Sequence, residues 1–136
     1  MKKTLSILLL AIGLLGFATF ANTSNFNNDE VEPKYLTEDS FDKAINTGVV
    51  IVEFVASFAE PFGDWQKIKD GEYYRVDIEK APKSKKKYRI RMAPSILIFK
   101  DGIIEESFKA GLDLELPTDL QELQETIDET KQATRY

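Results

Sequence analysis

Apolar and polar positions alternate along the chain with two different periods. Lys34 to Leu36 suits a short edge strand. Thr37, a residue type that caps helix N-termini, precedes Phe41, Ala44 and Ile45, which recur at helical spacing until Gly48 ends the pattern. VVIVEFVA, Val49 to Ala56, is a nearly unbroken run of β-branched residues, as in a strand covered on both faces. Pro61 suits the first turn of a helix, for which the chain leaves roughly two turns up to Lys69 before Asp70-Gly71 forces a turn. Tyr73 to Glu79 alternates as a strand, Pro82 to Tyr88 reads as a short basic helix, and Ser95 to Lys100 reads as a strand. Asp101-Gly102 is a hairpin signal, so Ile103 to Ala110 is the returning antiparallel strand. Thr118-Asp119-Leu120-Gln121 has the form of a capping box opening a helix whose Leu120, Leu123 and Ile127 make one apolar stripe. The order βαβαβαββα predicts an α/β fold, a mixed sheet with helices on both faces, and no internal repeat interrupts it.

The N-terminus follows neither period. MKKTLSILLLAIGLLGFATFA has two lysines, an apolar run from Leu5 to Phe20 and a small-residue exit, which is the pattern of a secretory signal peptide cleaved after Ala21. A membrane anchor is the rival reading. A helix that spans the bilayer needs about 20 apolar residues, and this run is shorter, contains Gly13 and Gly16 and lacks a charged stop. Residues 22–33 are polar, rich in asparagine and end in Pro33, a flexible lead-in to one domain at 34–132. The expected location is therefore outside the cytoplasm, periplasmic or extracellular, with no stable membrane anchor after cleavage.

Composition narrows the chemistry more than the pattern does. The 136 residues include no cysteine and no histidine. Thiol chemistry, haem attachment, cysteine or histidine metal sites and imidazole relays are excluded, and no cofactor or metal is expected. Loss of residues 1–21 removes two lysines and no acid, leaving 16 bases against 23 acids, a net charge of −7. Such a bulk surface repels nucleic acid and anionic lipid, so no nucleic-acid partner is expected.

Four stretches in order resemble the thioredoxin family over Lys34 to about Glu129: LTEDSF (36–41), VEFVASFAEPF (52–62), RMAPSILIFKDG (91–102) and SFKAG (107–111). The resemblance implies a thioredoxin-like fold. The family's active site is Trp-Cys-Gly-Pro-Cys; with its proline on Pro61, Phe58 stands at the tryptophan, Ala59 at the nucleophilic cysteine, Glu60 at the glycine and Phe62 at the resolving cysteine. A methyl and a phenyl group supply neither a thiolate nor a resolving thiol, which implies no thiol-disulfide oxidoreductase activity and no catalytic residue. Few residues separate Phe62 from Asp77, which implies a shortened active-site helix in which Trp65 plugs the core. Glu53 falls where the family keeps a buried acid and Arg75 beside it, implying a buried ion pair without a catalytic task. Pro94 falls on the family's cis-proline, beside which an extended peptide can dock.

The peptide-groove candidates are thus Phe58, Glu60, Ala93 and Pro94, with Phe58 outward and Phe62 inward. The expected function is an exported, non-catalytic protein- or peptide-binding module. Two alternatives stand beside it: a degenerate member of a thioredoxin redox system acting on redox homeostasis through a partner, and binding of an acidic partner by KAPKSKKKYRIR, residues 80–91, with seven bases in twelve residues. The bland reading of that stretch is a solvated face, since base stacking uses several aromatics and only Tyr88 is interleaved.

Overall fold

The run of β-branched residues forms β2, Val49–Val55, and the sheet is built outward from it. In the computed structural model, which describes residues 31–133, β2 runs parallel to β3 (Glu72–Asp77) and antiparallel to β4 (Ser95–Lys100). β1 (Lys34–Tyr35) lies parallel to β3 at one edge and β5 (Ile103–Lys109) antiparallel to β4 at the other, giving the order β1-β3-β2-β4-β5. This is the mixed α/β sheet that the sequence pattern predicts. The expected leader, its cleavage point after Ala21 and most of the lead-in lie outside the described residues.

Alternation along β2 divides the core. On one face Val50, Val52 and Phe54 join Val76, Leu97 and Phe99. That face is covered by Phe41 of α1 (Glu38–Ala44) with Ile45 beyond it, and by Ala81, Tyr88 and Ile90 around α2 (Pro82–Lys87). Four rings interlock there: Phe41 lies 5.4 Å from Tyr88, 6.0 Å from Phe99 and 6.1 Å from Phe54, centroid to centroid. On the other face Ile51, Ile96, Ile98 and Phe108 meet Leu123 and Ile127 of α3 (Leu120–Gln132), with Phe62 and Ile68 packed alongside. Because β2 and β4 are buried on both sides, their apolar runs are nearly continuous.

α1 and α3 begin on side-chain caps, and α2 borrows a carboxylate from α1. Thr37 and Ser40 form a capping box for α1, and Pro82 sits in the first turn of α2, where Glu38 accepts the amides of Lys83 and Ser84. The cap of α3 is Asp119 and not the predicted Thr118: the Asp119 carboxylate accepts the Glu122 amide at 2.9 Å, and the Thr118 hydroxyl donates to the Glu122 carboxylate at 2.9 Å. A carboxylate complements the positive end of the helix better than a hydroxyl does. Two further expectations need correction. The helix from Pro61 to Lys69 is absent; a single 3-10 turn, Trp65–Lys67, stands in its place and Pro61 lies in irregular chain before it. Gly63 inside the stretch is a poor helix former. β3 ends at Asp77 and not Glu79, because Asp77 accepts the Glu79 amide on its carboxylate and the Lys80 amide on its carbonyl, closing a turn.

The β4–β5 hairpin turns through Asp101 and Gly102, both at positive φ as a two-residue connection requires. Asp101 also locks the start of β2: its carboxylate accepts the Gly48 amide at 2.8 Å and its own amide donates to the Gly48 carbonyl at 3.0 Å. Along the hairpin the register passes from Ile98↔Glu106 to Phe99↔Ile104, a bulge that skips one residue of β5. Among the described residues no helix is long and apolar enough to cross a membrane.

Phe41 is 2% exposed at the centre of the ring cluster. Phe41→Ala is expected to destabilise the fold by about 3–5 kcal/mol in urea unfolding monitored by circular dichroism, with the slope on denaturant unchanged.

Candidate functional site

The loop between β2 and β3 carries the positions that matched the family's reactive corner. Phe58 projects into solvent, 51% exposed, and Glu60 and Pro61 are exposed beside it. Ala59 packs against the α1 face of the core, and its amide donates to the Ala56 carbonyl at 3.2 Å. Phe62 is half-buried and turns to the other face, against the cluster of Ile51 and Leu123. The Ala93–Pro94 bond is cis, and both residues are buried, with Ala93 in the α1-face core. Phe58 and Glu60 are therefore the groove candidates whose side chains reach solvent; Ala93 and Pro94 offer a partner main chain and no side-chain surface.

Beneath the corner lies a charged knot. Glu53 is 0% exposed, and it sits opposite Arg75 in the parallel register of β2 and β3. Arg75 Nε lies 3.3 Å from Glu53 Oε1 and 2.8 Å from the Tyr73 hydroxyl oxygen, while the Tyr73 hydroxyl donates to Glu53 Oε1. Glu53 Oε2 accepts the Phe62 amide at 2.7 Å, and Arg75 Nη2 donates to the Phe62 carbonyl at 2.9 Å. Both main-chain polar groups of Phe62 are thus held by the two ends of one ion pair. A carboxylate removed from water needs donors of this kind, and it receives three.

Aromatic rings close the knot from the side. Trp65 stacks on Tyr73 with centroids 5.2 Å apart, and the Arg75 guanidinium carbon lies 5.8 Å from the Trp65 centroid and 5.7 Å from that of Tyr73. Burial pushes the Tyr73 phenol well above its ordinary value, and the adjacent Glu53 charge pushes it further. Burial works against the Arg75 charge, but its bond to Tyr73, the Glu53 carboxylate and a hydrogen bond to Tyr35 outweigh that and hold the guanidinium above its usual value. The knot thus holds the loop's main chain, with the Tyr73 phenol and the Arg75 guanidinium both held in their protonated forms.

The far end of the loop is held in the same way by a residue that sequence reasoning missed. Gln124 of α3 accepts the Lys69 amide and donates to the Lys69 carbonyl, both at 2.9 Å. Only the spacing of Gln124 one residue after buried Leu123 hinted that it borders the sheet. Tyr73 was likewise read as a strand residue alone, though its place two residues from Arg75 puts both side chains on one face. Among the described residues no group of three acidic side chains is placed to hold a metal ion.

Arg75→Met is expected to destabilise the protein by about 3–5 kcal/mol, because it leaves the Glu53 charge buried without its counter-charge. Glu53→Gln/Arg75→Met should recover much of that loss in the double-mutant cycle, measured by urea unfolding. Tyr73 supplies the pH test. Its folded value lies above the unfolded value near 10, so its contribution is complete below about pH 10 and is lost as pH rises further, at up to about 1.4 kcal/mol per unit. Tyr73→Phe should flatten the decline of stability between about pH 10 and 11 relative to the parent.

No protein-family model matches the chain. Thioredoxins of two Staphylococcus epidermidis strains are 28% identical to it over 78 residues, 49% of this chain and 73% of theirs. Among solved structures, a mutant thioredoxin from Halobacterium salinarum superposes with a TM-score of 0.61 at 19% identity, over 76% of this chain and 95% of that one. A Malassezia sympodialis thioredoxin gives 0.58 at 22% identity, over 74% and 95%. Set beside the strand order and a sequence without a single cysteine, these likenesses show a thioredoxin-like fold in a chain that has no CxxC pair.

Proposed function

We propose that this protein is an exported binding module that captures a polypeptide partner at the Phe58 corner and performs no thiol-disulfide exchange. The observation that carries the reading is the state of the corner itself. Both positions matched to sulfur hold carbon side chains, and the Glu53–Arg75 pair fixes the Phe62 main chain while the Phe58 ring stays 51% exposed. A large ring held on an anchored loop loses little conformational freedom on contact, which is how aromatic anchors contribute to interfaces. Glu60 beside it supplies a charge that orients a partner without adding much affinity. Export rests on the leader read in residues 1–21.

Three measurements test the proposal. In an insulin-reduction assay with dithiothreitol, the protein is expected to be indistinguishable from buffer; turnover above buffer would remove the non-catalytic part. Phe58→Ala is expected to weaken capture of polypeptides from the envelope fraction about tenfold or more while leaving thermal stability within about 0.5 kcal/mol of the parent. Unchanged capture would exclude the corner. Mass spectrometry of the expressed protein should find a mature N-terminus at Asn22 in the exported fraction, and retention of residues 1–21 would exclude cleavage.

A further inference from the structure

The segment from Lys80 to Arg91 carries Lys80, Lys83, Lys85, Lys86, Lys87, Arg89 and Arg91 and no acid, in a chain whose formal net charge is −5. Among the described residues none of the seven has a carboxylate within ion-pair distance; the ion pairs there use Lys67, Arg75 and Lys131. Four of the seven, Lys85, Lys86, Arg89 and Arg91, surround a cavity of about 480 Å³ that is completed by Pro82 and Ile90. The charge is therefore concentrated around a concave surface with an apolar floor, on the α1 and α2 side of the sheet.

The backbone at Arg89 fixes where that side chain starts. α2 ends with the Arg89 amide donating to the Lys86 carbonyl at 3.1 Å and the Ile90 amide to the Lys85 carbonyl at 2.9 Å. This pair of bonds requires a left-handed residue at the first position past the cap, where glycine is strongly favoured. Arg89 occupies it at φ 56° and accepts a steric cost that glycine would not carry. The helix end thus sets Arg89 at the rim of the cationic cavity.

The surroundings select among anions. A lipid surface is gripped by large apolar side chains next to the bases, but the large apolar residues exposed in the domain are Tyr35, Phe58, Ile103, Ile104 and Leu112, none of them in this segment. Nucleic acid is gripped by stacking, but the Tyr88 ring is turned into the core against Phe41 and Phe99. What remains is carboxylates on a flexible chain. Two guanidinium groups fit planar carboxylates, and the exposed Pro82 ring can take the aliphatic part of a polypeptide. We propose that the cavity ringed by Lys85, Lys86, Arg89 and Arg91 is a docking site for an acidic polypeptide segment, separate from the Phe58 corner.

The test uses the full chain and a fluorescein-labelled ten-residue glutamate peptide followed by anisotropy. Binding is expected at low ionic strength, weakening as salt rises. Lys85→Glu/Arg89→Glu should weaken it about tenfold or more, whereas Lys67→Glu/Lys131→Glu, with the same change in net charge on other elements, should leave it within about twofold. Arg89→Gly keeps the helix end intact, so it should weaken peptide binding and leave the melting temperature equal or higher. Equal losses in the two double variants, or no binding at low salt, would overturn the site. Tighter binding of heparin or of phosphatidylglycerol vesicles than of the peptide would overturn its assignment to polypeptide. Concentration-dependent self-association in sedimentation that Lys85→Glu/Arg89→Glu abolishes would give the surface to a second copy of the chain instead.

Discussion

A buried ion pair that holds one residue's main chain is the constraint on which the loop between β2 and β3 depends. Glu53 and Arg75 come from neighbouring parallel strands, so the sheet fixes the distance between them before any loop is placed. Phe62 then closes the circuit, its amide on the acid and its carbonyl on the base. Without that circuit each charge would lie in the core short of partners, and the loop would have two polar groups to satisfy elsewhere. The interaction is conditional in both directions, and that is why so short a segment can hold a shape.

The same device recurs wherever regular structure is missing. Helical chain satisfies its own amides; the segment from Phe58 to Gly71 has one 3-10 turn and must borrow partners. It borrows them from Glu53 and Arg75 at Phe62 and from Gln124 at Lys69. Between these two pins, Trp65 lies flat on Tyr73 and walls the charged pair from water. Side-chain clamps thus stand where a helix was expected, and Phe58 lies on the solvent side of the first clamp.

How much of this was legible depended on how far the responsible interaction reaches along the chain. The β2 run announced burial on both faces because period and residue type are local properties, and Asp101-Gly102 announced its hairpin for the same reason. Glu53 and Arg75 could be named because alternation put one acid on an apolar face and the family resemblance supplied its neighbour. The helix expected from Pro61 failed because a proline marks where a helix can start and says nothing about whether the residues after it, Gly63 among them, continue it. Gln124 was invisible: its partner is 55 positions away, and an exposed-looking amide in a helix has no signature of the loop it will hold. Asp119 and Thr118 were a contest between two adjacent capping residues, decided by charge.

The bulge in the β4–β5 hairpin bears on how the molecule behaves in company. A sheet margin seven residues long, with Ile103 and Ile104 facing outward, is an invitation to lateral growth. Skipping a residue between Ile104 and Glu106 breaks the even spacing that an incoming strand would have to match, and the acids that follow oppose a like-charged neighbour. Crowded copies are thereby discouraged from zipping into ribbons along β5, and the chain can reach high concentration without polymerising through that border.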